Sequence, residues 1–444
     1  MQAMTRYLLA ALILVLTLAT GCSDRGDNTG PVYDGESGVL TADHMFFQEL
    51  STQIRNQGRW MLYLKAWVPK YNEWGPPPNY HPDHPLPLLV LLPPEDADEW
   101  YYFHHGLSQV ANELMAEGLL EPMAIFVPQN DPVLGGYWWA GSGGGCGNYD
   151  TLVGGTLIDH IRENALGPGA FDTAQCMTAI GGIGTGAYGA VRAALKHPGR
   201  FGSISVINGP MDFDGLDGQG GLIPLFAKAI AEQSGVPFAT KWDTSSYNEI
   251  SRLLTGGAMA FSPHDTLVYP VITYTQTGPR VACPDSAKIT GTDTWVRTRY
   301  KIAGTETLLP DLISAADFSF QVHLPFDRFG RPYSAPNEPI WDLWLRNSPD
   351  SMIYNAESQG RAFPNTHFWV AYSREDDPLG YNVMTRDFAK LLQKYRYDPE
   401  IYYFGGYEGN PGWGDEYLTH LLREVLIFHS NCFRQARQNQ QGGN

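Results

Sequence analysis

Met177-Thr178-Ala179-Ile180-Gly181-Gly182-Ile183-Gly184-Thr185-Gly186-Ala187-Tyr188-Gly189-Ala190 is the stretch on which the fold turns. Its first four residues read as a short buried strand, the glycine cluster as a tight turn, and Tyr188 to His197 as a helix. Ser203 to Asn208 then forms a further apolar strand. On the other side, Val153, Leu157 and Ile161 share one helical face, and Met123 to Val127 reads as a strand. Leu107, Val110, Ala111 and Leu114 mark another helix, which Gly118 can end. Before it, Leu86 to Leu92 is a largely apolar run suited to a parallel strand buried on both faces. An extended aromatic segment, Trp60 to Val68, precedes that run across the Pro-rich stretch Pro69 to Pro85. Strands alternating with helices imply βαβ units, hence an α/β fold with a mostly parallel sheet covered by helices on both faces.

The alternation stops after Gly209 and resumes at His367, which predicts a large cap insertion over 210–366. Within it Leu222 to Gln233 reads as helical, and Val268 to Thr277 and Asp317 to Leu324 as extended. The rhythm returns with strand His367 to Tyr372, helix Arg386 to Tyr395, strand Glu400 to Phe404 and helix Asp415 to Phe428. The core is thus divided into 38–209 and 367–432, with a polar tail, 433–444, expected to be disordered.

Composition narrows the function classes. Thirty Lys+Arg against 47 Asp+Glu in 444 residues leave a charge of −17, the opposite of what a binder of phosphate backbones needs, so no nucleic-acid partner is expected. Charged residues make up 17% and aromatic ones 13%, a balance that points toward exported proteins, since about 25% charge is usual. Arg6, the apolar run Tyr7 to Leu18, and Ala19-Thr20-Gly21-Cys22 form a secretory signal, too short to span a membrane as a mature helix. The last four residues resemble a bacterial lipobox, with Ala19 where leucine is usual, which implies a signal peptide over 1–21 and membrane attachment through acylated Cys22. An ordinary signal with Cys22 incidental is the alternative. Removing 1–21 takes away Arg6 alone, leaving 29 Lys+Arg against 47 Asp+Glu and a charge of −18. Ser23 after the cysteine resembles an outer-membrane address, and 22–37 reads as a flexible tether. The other cysteines, Cys146, Cys176, Cys283 and Cys432, suit two disulfides in an oxidising compartment, with three possible pairings. Neither a metal nor a cofactor is expected, because no cysteine or Cys/His cluster has ligand spacing.

A strand, a glycine turn and a helix form the context of a nucleophile elbow. Here the chain resembles the putative-esterase family of α/β-hydrolases, which includes esterase D-like, feruloyl-esterase-like and mycolyltransferase-like proteins. The likeness rests on the elbow with Tyr188-Gly189-Ala190, on His197-Pro198, on Ile207-Asn208-Gly209, and on Pro325-Phe326-Asp327-Arg328-Phe329-Gly330 before Trp341 and Trp344. The family's machinery does not carry over with the fold. Aligned on Gly182 and Gly186, the elbow has Gly184 where the resemblance implies the nucleophilic serine. Thr185 is the nearest hydroxyl, but a shift by one would need glycines at Ile183 and Ala187, and a β-branched residue suits positive φ poorly. Where the family's first core strand ends in His-Gly and offers an oxyanion N–H, this chain has Pro93-Pro94, and proline has no N–H. Where the catalytic histidine is implied, Tyr407 stands within Gly405-Gly406-Tyr407-Glu408-Gly409, and a phenol titrating near ~10 is a poor general base. The acid position alone keeps its type, as Glu375 or Asp376. Because a triad acts as a unit, these losses together predict a pseudo-esterase.

Other constellations carry less. Glu95, Asp96, Asp98 and Glu99 with His104-His105 could frame a metal or hydrolytic site, against the plainer reading of a solvated acidic loop. His420 and His429, on the last helix, have structural roles as the default. Trp138, Trp139, Thr185, Tyr407 and Trp413 are candidate lining residues of a ligand cleft, with core packing as the alternative for the aromatics. The expectation is an exported binding or scaffolding lipoprotein whose ligand or envelope partner is unknown. The alternative is an active carboxylic-ester hydrolase or acyltransferase with a relocated nucleophile.

Overall fold

Every residue of Leu88–Leu92 is buried, Leu88, Val90 and Leu92 in one apolar core and Leu89 and Leu91 in a second. A strand with both faces apolar is stable only when helices cover both sides, and the computed structural model has that arrangement. It describes residues 61–68, 85–95, 97–129, 138–142, 147–164, 169–215, 221–224, 339–360, 362–374, 379–405 and 415–442. To these it adds strand segments at 32–33, 39–46, 268–277, 287–288 and 294–302, and positions 253, 257, 260 and 261.

The central sheet has nine strands: β1 (Val32–Tyr33), β2 (Val39–Phe46), β3 (Met61–Trp67), β4 (Leu88–Leu92), β5 (Ala124–Pro128), β6 (Thr178–Ile183), β7 (Ser203–Ile207), β8 (His367–Ser373) and β9 (Glu400–Phe404). Their spatial order is β1-β2-β3-β5-β4-β6-β7-β8-β9. From β5 to β9 all neighbours are parallel, while β1, β2 and β3 form an antiparallel flank joined to β5. The parallel strands end on one side of the sheet, and the turns after β4, β6 and β7 meet there. In open α/β sheets that edge is where sites form.

One face is covered by α2 (Leu157–Asn164), α3 (Thr185–Lys196), α4 (Pro349–Ser358) and α5 (Tyr381–Lys394), the other by α1 (Leu107–Ala116) and α6 (Asp415–Gly442). Leu107, Val110, Ala111 and Leu114 face the same core as Leu418, Leu421, Leu422 and Val425. Each such leucine or valine, fully buried, contributes on the order of 1.5–3 kcal/mol. Within the insertion, Val268–Thr277 is a strand as expected and pairs antiparallel with Thr294–Ile302. Leu222 to Pro224 is helical; the rest of the expected helix to Gln233, and Asp317 to Leu324, lie outside the described residues.

Three expectations are corrected. Helix α3 begins at Thr185, three residues before Tyr188, because Gly184 caps it. The glycines that read as turn are needed for close packing: a Cβ on Gly186 would fall 2.1 Å from the Leu92 carbonyl oxygen. The tail from 433 is not disordered, since α6 runs on to Gly442. Phe433 is fully buried, Arg437 pairs with buried Glu121, and its second guanidinium nitrogen donates to the Pro85 carbonyl at 3.1 Å. The two-disulfide expectation also fails, because Cys176 and Cys432 are free thiols. Each packs against the α6-side core, and burial, followed by the charge of Glu400, pushes the Cys432 thiol up to about 12. Cys146 and Cys283 lie outside the described residues.

Two polar clusters are buried in the layers. Arg192 on α3 pairs with Asp150 at 3.0 Å, each side chain only 6% exposed, and also donates to the Tyr188 hydroxyl at 3.2 Å and to Asn347 Oδ1. On the opposite face, His429 of α6 bonds Ser203 Oγ at 2.8 Å through Nδ1 and Ser205 Oγ at 3.0 Å through Nε2. The glycine at 181 makes room for this pair, since a Cβ there would meet Ser205 Oγ at 1.9 Å.

Burial holds the His429 imidazole neutral, its pKa pushed down to about 3. The unfolded chain protonates the same ring near ~6.5, so the folded state binds fewer protons between these values. Stability therefore falls as pH drops through that window, by about 1.4 kcal/mol per unit for this group. His429→Gln is expected to flatten melting temperature against pH between roughly 6.5 and 5 relative to the parent chain. An unchanged slope would refute the buried neutral imidazole.

Candidate functional site

At the end of β6 the chain reverses into α3 through Gly184, whose φ of 57° and ψ of −127° belong to a region that residues with side chains rarely occupy. A Cβ on Gly182 would lie 2.3 Å from the Gly186 carbonyl carbon, so the two glycines flanking 184 are required by the crossing of strand and helix. That contact accords with the register in which the resemblance implies a nucleophile at 184, a position that holds no side chain. Thr185 is the first residue of α3 and fully buried. Its hydroxyl has no hydrogen-bond partner, histidine included, among the described residues. Ile183 and Ala187, which a shifted elbow would need as glycine, are buried with their side chains in the two cores.

The seat is not empty space. The Glu95 Oε2 lies 2.5 Å from the place a Cβ on Gly184 would take, and Pro94 Cβ lies at 3.2 Å. The same Oε2 accepts the Thr185 backbone N–H at 2.9 Å. The Gly184 N–H is already used by the carbonyls of Ile207 and Asn208 at 3.1 and 3.0 Å. Of the two amides at the turn, one serves the sheet and the other serves Glu95. Pro93-Pro94 does border the elbow and supplies no donor.

Trp138 and Trp139 do not line a cleft. Both are fully buried. Trp138 packs edge-on against Tyr188, Phe213 and Phe261 with centroids 5.3–5.7 Å apart and donates to the Leu253 carbonyl at 2.9 Å. Trp139 donates to the Pro93 carbonyl at 3.2 Å, and its Cβ stands 2.4 Å from where a Cβ on Gly189 would be. These rings join α3 to the insertion as core, since a buried indole with its N–H satisfied is an apolar filler. Of the remaining cleft and triad candidates, Glu375, Asp376, Tyr407 and Trp413 lie outside the described residues, as does Cys22.

The described contacts of the acidic loop and of the two histidines go to several partners. Glu95 turns to the elbow, His104 stacks on Trp100 at 5.8 Å, and His105 meets the Tyr101 ring at 4.8 Å while its carbonyl accepts from Thr419 at 3.1 Å. His420 bonds the Tyr402 hydroxyl at 2.5 Å near the surface. His429 is paired with two serines, but all three are buried between sheet and α6. Asp212, Asp214 and Asp350, not singled out in the sequence, have carboxylate oxygens within 4.8 Å of one another. Burial, the larger cause, raises Asp212 to about 6; among the described residues no histidine or cysteine joins them. Sequence reading also missed the part played by Glu95. The signal that could have found it is an acid directly after the diproline that displaces the oxyanion donor.

Residues 76–260 match the family model described as Putative esterase. No curated protein matches the chain. Among solved structures it is similar to a ferulic acid esterase, at 14% identity over 89% of this chain and 98% of that one, TM-score 0.49. It is similar also to S-formylglutathione hydrolase of Staphylococcus aureus, at 12% over 87% and 98%, TM-score 0.44. A third is MPT51 of Mycobacterium tuberculosis, at 14% over 88% and 98%, TM-score 0.42. With the family match over 76–260 spanning the elbow, and a mostly parallel sheet whose β6 feeds α3 through Gly182, Gly184 and Gly186, the chain has an α/β-hydrolase fold whose elbow-bearing part resembles the putative-esterase family.

Proposed function

We propose that this chain is a catalytically degenerate pseudo-esterase, exported and lipid-anchored through Cys22, that serves the cell envelope as a binding or scaffolding protein. The observation that carries the reading is the elbow: Gly184 keeps the strained conformation of a nucleophile and lacks the nucleophile. A fold alone does not confer chemistry, and acyl transfer needs an attacking atom, a base and donors for the oxyanion. Here the attacking atom is missing, Pro93-Pro94 withholds one donor, Glu95 takes another, and Tyr407 stands where the base is implied.

Burial of Trp138 and Trp139 removes half of the proposed aromatic platform, which favours a protein partner on the outer surface over a small ligand at the elbow. The competing reading, an active hydrolase with a relocated nucleophile, calls for a hydroxyl or thiol and a histidine together at the strand ends. His429 with Ser203 and Ser205 lies instead inside the core, where substrate has no access. Support for export is the Arg6, apolar-run, small-residue and Cys22 order of the first 22 residues. Among the described residues, no helix is long and apolar enough to cross a membrane.

The purified form beginning after Cys22 is expected to hydrolyse short-chain and aromatic p-nitrophenyl esters no faster than its heat-denatured control; turnover above that control would overturn the reading. Gly184→Ser alone should restore no activity and should lower the melting temperature, because its Cβ would meet Glu95 at 2.5 Å. Substantial activity from this one change would mean that Tyr407 and Pro93-Pro94 are not the lost base and donor. Cys22→Ala should abolish incorporation of radiolabelled palmitate and release the protein from membranes. Labelling of that variant would refute the anchor.

A further inference from the structure

The elbow of this protein has an occupant of its own. We infer that Glu95 is the resident ligand of the elbow: its carboxylate fills the seat of the missing nucleophile and holds the Thr185 amide that would otherwise face an external carbonyl oxygen. The site is closed from within, and the loop after β4 is latched to the start of α3. This stands on geometry rather than on the absence of turnover, so it goes beyond the pseudo-esterase reading and can fail separately from it.

The reasons for a carboxylate here are electrostatic and steric. Thr185 opens a 12-residue helix, whose first N–H groups lack partners within the helix and whose N-terminus carries partial positive charge. The neighbouring Gly184 N–H is spent on the carbonyls of Ile207 and Asn208 at the end of β7, which leaves the Thr185 amide for Glu95 at 2.9 Å. A charge-assisted bond of this kind is shorter and stronger than a neutral one. Gly184 and Glu95 fit together: with Oε2 at 2.5 Å and Cδ at 3.3 Å from a notional Cβ at 184, the carboxylate uses volume that any side chain there would claim. Serine at 184 and the present position of Glu95 exclude one another.

The arm that delivers the carboxylate is fixed along its length. The Leu92 carbonyl accepts from the Tyr102 hydroxyl at 2.8 Å, the Pro93 carbonyl from Trp139 at 3.2 Å, and the Pro94 carbonyl from the Ala97 N–H at 3.3 Å. Two successive prolines lock φ just before Glu95. Tyr101, next to the Tyr102 anchor, reports the charge: burial foremost, and then Glu95, push its hydroxyl well above the usual phenol range. The diproline that removes an oxyanion donor therefore also aims the acid that occupies the other one.

The test compares Glu95→Ala and Glu95→Gln with the parent in the form beginning after Cys22, by thermal melting in sodium acetate and in sodium chloride of equal ionic strength. Glu95→Ala should melt roughly 2–5 °C below the parent, and acetate, as a free carboxylate, should restore part of that loss while leaving the parent unmoved. Glu95→Gln keeps the shape and an acceptor oxygen, so it should lose less and gain nothing from acetate. Equal stability of Glu95→Ala and parent, or an acetate effect common to all three, would overturn the latch. Should the alanine variant not fold, amide hydrogen exchange over 183–188 decides: faster exchange in Glu95→Gln than in the parent supports the latch, and unchanged exchange overturns it. Ester turnover by Glu95→Ala would sink the pseudo-esterase reading and leave the latch standing if acetate still stabilises the variant.

Discussion

The crossing of β6 into α3, where Gly182 and Gly186 meet without side chains beneath the Leu92 carbonyl, is the constraint on which the rest of the molecule depends. It brings the first turn of α3 against the end of β4 and forces the residue between the glycines to positive φ. Once the helix starts there, Ala187, Tyr188, Ala190 and Val191 fall onto the sheet, and Arg192 reaches Asp150 and Asn347. A core of this density tolerates little change in volume, so the crossing persists under packing constraints that do not involve chemistry.

In the proposed reading, that separation explains how the geometry of an elbow can outlast its nucleophile. Backbone shape at the elbow is enforced by contacts that any disturbance of packing would strain. Under the pseudo-esterase proposal, the nucleophile at 184 was free to change, because the crossing is held by Gly182 and Gly186 and not by a side chain at 184. The space at 184 is taken up locally by the Glu95 carboxylate at the helix end, and the adjoining layer is filled by the indoles of Trp138 and Trp139. What remains at the strand ends resembles an ordinary helix cap more than a cleft: a side-chain oxygen on an early backbone amide, as helix starts in general prefer.

Most of the fold could be read from the chain because parallel strands buried on both faces leave unbroken apolar runs, as in Leu88–Leu92, and because amphipathic helices repeat their apolar residues at helical spacing, as in Leu418, Leu421, Leu422 and Val425. Periodicity gave less guidance where long-range partners decide. The segment from 433 is rich in Gln, Arg and Asn and reads as a solvated tail, yet Glu121 and Pro85, more than 300 residues away, hold it helical. Likewise the indoles of Trp138 and Trp139 have no local feature that tells core from cleft. The substitution at 184 was legible because a motif with defined spacing exposes a missing member. The destination of Glu95 was not, because an acid among acids reads as solvated loop until the fold places a helix end beside it.

The C-terminal helix has a consequence for how the chain comes into being. Its 28 residues, about 42 Å of helix, supply much of the cover on one whole face of the sheet, including the partners of Ser203 and Ser205. Until the last of them is available, Ala179, Ile183, Trp369 and Ala371 have water where their core should be. A chain that emerges N-terminus first therefore closes neither face until α5, and then α6, has emerged. It stays open-faced until nearly the whole length has emerged.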